Sequence, residues 1–251
     1  MQPAELVTVL DAAADAVRQA LGGLSDGGLA GTRPGQYRSD IAADAAACGV
    51  LEAAGLGVLS EESGLHGADR PLLAVLDPLD GSTNAARGIP WYATSCCVLD
   101  ADGPLVALVV NQATGARYEA IRGGGARRDG APISPSECTE PGRAVVGLSG
   151  YPRSYLGWRQ FRALGAVALD LCAVADGTLD GYVDCAESAH GGWDYLGGLL
   201  VCAEAGAHVA DAHGRDLVVR RHEERRTPVA GATPALLDAL VRARAGARRA
   251  D

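Results

Sequence analysis

The sequence predicts an α/β protein, and three features carry that expectation. Apolar residues recur at helical spacing near the N-terminus, short apolar runs bounded by turn residues read as strands, and the two kinds of segment alternate along the chain. In the first helix Leu6, Val7, Leu10, Ala14, Val17 and Leu21 share a face, and Gly22-Gly23 ends it. An alanine-rich helix follows from about Asp40 to Ala54 and stops at Gly55. Strands are expected at Leu56–Ser60 and Leu72–Leu76. The stretch from Tyr92 to Ile121 reads as a meander turning at Asp102-Gly103 and Thr114-Gly115. Arg122–Gly142, rich in Gly, Pro and Ser, is the best linker, which divides the chain into an N-terminal half over 1–140 and a C-terminal half over 141–251. Beyond it come a strand at Ala144–Leu148, a helix at Ala166–Ala175, a strand at Gly181–Cys185, a helix at Trp193–Ala205, and a closing strand and helix.

Composition narrows the function classes. With 251 residues the chain has ample material for a core, and 48% hydrophobic with 21% charged residues is ordinary for a soluble globular protein. A net charge of −9 argues against a nucleic-acid footprint. The basic pieces, "RRHEERR" (Arg220–Arg226) and the arginine-rich tail, read as solvated surface. All 22 basic residues are Arg, a bias of composition rather than chemistry. Seven scattered cysteines without a C-x-x-C pattern, several in apolar runs, point to a reducing compartment. The N-terminus carries Glu5, Asp11 and Asp15 and does not read as a signal peptide, and no apolar run reaches membrane-spanning length. A cytoplasmic protein without membrane or nucleic-acid partners is the expectation.

The chemistry gathers at "LDPLDGSTNAARGIPW" (Leu76–Trp91), directly after a buried strand. Asp77 and Asp80 at the end of a strand repel one another and are costly to desolvate, unless a cation sits between them. Pro78 stiffens the turn and directs the Leu79 carbonyl outward, while Gly81-Ser82-Thr83-Asn84 has the composition of a helix start, with amides suited to phosphate. Oxygen ligands of this kind suit a hard divalent cation such as Mg²⁺. A plain turn with Asp80 as a helix cap fits this stretch equally well. Two further acidic pieces bear on the choice. Glu61-Glu62 ends the preceding strand, and Trp193-Asp194 opens a helix; alone, the first reads as a polar loop and the second as a cap.

In this order "SEES" (Ser60–Ser63), "DPLDGSTN" (Asp77–Asn84), "WD" (Trp193-Asp194) and "EAG" (Glu204–Gly206) resemble the motifs of the inositol monophosphatase family of Mg²⁺-dependent phosphatases. "LGAVALDLCAVADGTLDGY" (Leu164–Tyr182) is similar to the family's stretch before its W-D. The resemblance implies an alternating α-β-α-β-α sandwich of the inositol monophosphatase and fructose-1,6-bisphosphatase type, and a homodimer. It implies two or three Mg²⁺ ions per site, held by Glu61, Asp77, the carbonyl of Leu79, Asp80 and Asp194, with Asp77 bridging two of them. Glu61, helped by the Ser82 hydroxyl, would orient the attacking water. The amides of Gly81, Ser82 and Thr83 would hold the phosphate alongside Asp80 and Asp194, and Gly165, Ala166 and Asp184 would meet the leaving group.

The chain departs from the family pattern in three places, one of them the stretch from Ser149 to Gly165, which is shorter than usual. In "RPGQYRSDIAAD" (Arg33–Asp44) Arg33 and Asp44 match the family's base and final acid, but Arg38 and Ile41 stand where an Asp and a Thr are usual, which bears on any accessory metal. Asp184 matches the substrate-reading acid by its place after Gly181-Tyr182, whereas Glu187 matches it by distance to Asp194. His190 reads as incidental, Trp91-Tyr92 as packing, and "GGGARRDG" (Gly123–Gly130) as a hairpin rather than a nucleotide loop. The activity implied is hydrolysis of inositol monophosphate or a similar small polyol phosphate. The alternatives are a histidinol-phosphate or nucleotide-bisphosphate phosphatase of the same fold, and a regulatory binding protein that retains it.

Overall fold

Leu6, Leu10, Ala13, Ala14 and Val17 bury one face of the first helix, α1 (Pro3–Gly22), which lies against α2 (Arg38–Ala53). The computed structural model describes residues 1–23, 28–32 and 36–246. After α2 come β1 (Gly57–Ser60), β2 (Gly64–His66), β3 (Leu73–Asp80), α3 (Ser82–Arg87), β4 (Ala93–Asp100), β5 (Gly103–Asn111), β6 (Arg117–Ile121), β7 (Gly125–Arg128) and β8 (Ala131–Pro132). The remainder holds β9 (Val145–Ser149), β10 (Gln160–Arg162), α4 (Val167–Ala175), β11 (Gly181–Asp184), α5 (Gly192–Ala205), β12 (His208–Asp211), β13 (Pro228–Gly231) and α6 (Pro234–Gly246).

Among the described residues these strands form two sheets, ordered β2-β1-β3-β4-β5-β6-β7-β8 and β10-β9-β11-β13-β12. Alternation along each strand sends side chains to opposite faces, so each sheet has two faces to cover. Helices α1 and α2 cover one face of the first sheet through Val58, Ala74, Leu76, Cys96, Val98 and Val106. Helices α4 and α5 fill the space between the sheets, where Leu59, Val75, Cys97, Val109, Leu169, Leu196, Tyr182 and Ala230 belong to one core. Leu236 and Leu240 of α6 cover the far face of the second sheet against Val146, Leu148, Val183 and Val229. The layers therefore run α-β-α-β-α, as the family resemblance implies.

Several boundaries differ from expectation. The strand expected to stop at Leu76 continues to Asp80, with a break in its register against β4 between Asp77 and Asp80. The expected linker begins with two more strands of the first sheet, β7 and β8, because Gly125–Arg128 pairs with β6 as a hairpin. The single closing strand is in fact the antiparallel pair β12 and β13. Among the described residues no helix is long and apolar enough to cross a membrane.

Candidate active site

Parallel pairing of β1 and β3 sets the first two acids side by side. Ser60 stands opposite Leu76, and the Glu61 amide donates to the Leu76 carbonyl at 3.1 Å, so Glu61 and Asp77 emerge together. Asp194 arrives from α5, whose start is tied to β4 by the Ser95 hydroxyl donating to the Trp193 carbonyl at 3.4 Å. Asp194 also caps its own helix, its Oδ2 accepting the Gly191 amide at 2.7 Å, so the cap and cluster readings hold together. Carboxylate oxygens of Glu61, Asp77 and Asp194 lie within 4.8 Å of one another.

Such crowding is unfavourable without a cation. At an effective dielectric of about 20, two unit charges about 4 Å apart repel by about 4 kcal/mol. Asp77 is only 2% exposed, and burial, then the charges of Glu61, Asp80 and Asp194, push its carboxyl well above the usual carboxylate range. Asp80 is raised likewise, by burial first and then by Asp194, although it accepts the Ala168 amide of α4 at 2.7 Å. Hard oxygen donors that converge while resisting ionisation fit a divalent cation such as Mg²⁺.

The end of β3 and the turn after it are held by side chains bonding to backbone groups. Asp77 Oδ1 accepts the Leu79 amide at 2.9 Å, and the Pro78 carbonyl accepts the Thr94 hydroxyl at 3.0 Å. Leu79 is itself 4% exposed and falls where the β3 register breaks. Gly81 adopts φ 85°, where a Cβ would stand 3.0 Å from the Trp91 carbonyl oxygen and 3.1 Å from that of Gly165. Ser82 and Thr83 open α3, and Asn84 donates 2.7 Å bonds to the carbonyls of Trp91 and Leu164. The Gly81 turn is thereby locked to Gly165 and Ala166, the residues expected at the leaving group.

On that side Asp184 is fully buried at the end of β11, while the side chain of Glu187 is 54% exposed and pairs with His213 at 3.3 Å and Arg244 at 3.4 Å. His190, expected to be incidental, sits between two acids, with Nε2 3.5 Å from Asp184 and Nδ1 3.7 Å from Asp194. Burial works against its charge, but Asp194, Asp184 and Asp80 outweigh that and raise its pKa to about 9. Asp184 is raised by burial, with His190 opposing. Trp91 does more than pack: its Nε1 donates to buried Asp170 at 2.9 Å, whose carboxyl burial raises to about 7. Asp170 had no signal in the sequence beyond being an acid in an apolar helix.

The divergent upstream element lies behind the acids. Arg33 falls outside the described residues. Asp44 is buried and accepts the Ser60 hydroxyl, and Gln36 donates to Glu62. Arg38 is the first residue of α2, and Ile41 is 43% exposed.

An α-β-α-β-α sandwich is the architecture of the inositol monophosphatase and fructose-1,6-bisphosphatase class of phosphatases. This chain belongs to the inositol monophosphatase family, whose model matches residues 40–248. It is similar to a fructose-1,6-bisphosphatase of Pyrococcus furiosus, 33% identical over 65% of this chain and 65% of that protein. A fructose-1,6-bisphosphatase/inositol-1-monophosphatase of Thermococcus kodakarensis is 35% identical over 75% of each chain. A protein named Nus factor SuhB from Vibrio cholerae is 32% identical over 62% of this chain and 63% of its own length. Among solved structures, a Pyrococcus horikoshii protein described as having similarities to inositol-1 monophosphatase superposes with a TM-score of 0.83 at 26% identity, covering 95% of this chain and 96% of that one. The inositol monophosphatase from Anabaena does so at 0.76 and 27% identity, covering 95% and 96%.

Proposed function

We propose that this chain is a Mg²⁺-dependent phosphomonoesterase that hydrolyses inositol monophosphate or a similar small polyol phosphate. The observation that carries the reading is the convergence of Glu61, Asp77 and Asp194 within 4.8 Å. In this reading Glu61, Asp77, Asp80, Asp194 and the Leu79 carbonyl hold two or three Mg²⁺ ions. Bound there, the ions would activate water at neutral pH and offset charge on the leaving oxygen.

The protein's own groups supply orientation. Glu61 and the Ser82 hydroxyl aim the attacking water, and the amides of Gly81, Ser82 and Thr83 receive phosphate oxygens beside Asp80 and Asp194. Gly165 and Ala166 form the wall that the leaving group meets. Asp184 accepts its hydroxyls, and the burial of Asp184 against the exposure of Glu187 supports that choice. Relatives named for inositol monophosphate and fructose-1,6-bisphosphate support a hydroxyl-rich leaving group.

Seven free thiols support a reducing cytoplasmic setting, and the family resemblance extends to a homodimer that light scattering can test. The deciding experiment is a phosphate-release screen, with and without Mg²⁺, over inositol, sugar, histidinol and nucleotide phosphates. Mg²⁺-dependent release with preference for polyol phosphates is expected. Release that ignores Mg²⁺, or a preference for histidinol or nucleotide phosphates, would overturn the reading.

A further inference from the structure

Arg220–Arg226 reads in sequence as a solvated charge run, yet His222 in its middle touches both the backbone of Glu61 and the ring of Trp193, the residue before Asp194. His222 Nε2 stands 3.1 Å from the carbonyl oxygen of Glu61, and since a carbonyl only accepts, the imidazole is the donor. The same ring lies 4.7 Å from the Trp193 ring, with planes inclined by 33°. The guanidinium of Arg225 sits 4.9 Å from the Trp193 ring centre. The segment is fixed at both ends: Arg220 donates to the Asp100 carbonyl, and Arg226 exchanges backbone bonds of 3.3 and 2.8 Å with His190.

We propose that His222 is a positioning residue that sets Glu61 against Asp194 by joining the end of β1 to the start of α5. The inference rests on the metal-dependent reading above. Glu61 is held through both of its backbone groups, its amide by the Leu76 carbonyl at 3.1 Å and its carbonyl by His222. Fixing both peptide planes fixes the direction of the Cα–Cβ bond from which the carboxylate extends. The ring that does this also packs on Trp193, the residue before Asp194. One side chain thus governs the spacing of two acids 133 positions apart (194 − 61). Groups that orient metal ligands through such contacts typically change metal affinity about 10–100-fold when removed.

The test is Mn²⁺ binding, followed by the electron paramagnetic resonance of free Mn²⁺, to the metal-stripped full chain without substrate. His222→Phe keeps a ring against Trp193 and removes the donor; His222→Gln keeps a donor at similar reach. His222→Phe is expected to bind Mn²⁺ about tenfold more weakly or worse, with its melting temperature close to the parent's. His222→Gln should recover most of that loss. At saturating Mg²⁺ the KM for a phosphate ester should barely move in either variant. Parent-like affinity in His222→Phe, or equal losses in both variants, would overturn the inference and leave the metal reading standing. A parent chain that binds no Mn²⁺ would overturn both.

Discussion

His190 Nε2 lies 3.5 Å from Asp184 Oδ2, and neither atom has a hydrogen-bond partner among the described residues. Buried polar atoms in that state await something to bond, and a hydroxyl-bearing leaving group is what the proposed function brings. Losing such a pairing costs about 1–3 kcal/mol. Asp184→Ala is therefore expected to lower kcat/KM for a polyol phosphate by about tenfold or more, while sparing an aryl phosphate without hydroxyls. Steady-state kinetics on both substrates decide it: equal losses would make Asp184 structural.

Asp77 feels the charges of Glu61, Asp80 and Asp194 together. Asp77→Asn keeps its shape and removes the charge central to the cluster, so Mg²⁺-dependent phosphate release should fall by several orders of magnitude. Because burial and three neighbouring acids oppose ionisation of Asp77, the metal-free variant should melt no lower than the parent. Near-normal turnover would remove the assignment.

Gly81→Ala tests the turn. At φ 85° an added Cβ is disfavoured, and here it also meets two carbonyl oxygens at 3.0 and 3.1 Å. The left-handed conformation alone costs about 1–2 kcal/mol for an L-residue. A urea midpoint lowered accordingly, with turnover falling at least tenfold because the phosphate amides shift, is the expected pair of results.

Asp211 gives a pH-dependent stability test away from the site. Burial would raise its pKa, but the Arg215 guanidinium at 2.8 Å and the Thr227 amide at 2.8 Å outweigh that and hold the carboxyl well below the usual carboxylate range. A folded pKa below the unfolded one means stability present above about pH 4 and lost as pH falls toward the folded value. Asp211→Asn should cost about 1–3 kcal/mol at pH 7, and the gap in urea midpoint from the parent should shrink between pH 5 and pH 3. A gap that widened on acidification would contradict the sign.

Most of the fold was legible because periodicity marks long elements: α1, α2, α5 and the meander lie within a few residues of expectation. Short edge strands were not. Gly64–His66 and Gln160–Arg162 have three residues each, too few for alternation to show. The acids of β3 and its proline read as a turn, and only pairing with β4 carries the strand on to Asp80. Glu61, Asp77, Asp80 and Asp194 stood out through their motifs. Spacing leaves Asp184 and Glu187 level, and the burial that supports Asp184 in the proposed reading is not encoded in it. His190 and His222 were passed over because a lone histidine in a loop or a charge run carries no periodic signal.

The filling between the sheets has a mechanical consequence. All nine residues of α4 are buried, and the core to which α4 and α5 contribute takes side chains from strands of both sheets. Neither sheet owns that layer, so a division near residue 140, as expected from the sequence, would part the strands of the two sheets without parting a core. Heating should melt both halves in a single cooperative transition. A polypeptide stopped at that boundary would present the bare inner face of the first sheet to water, and it should be recovered as aggregate rather than as an autonomous module.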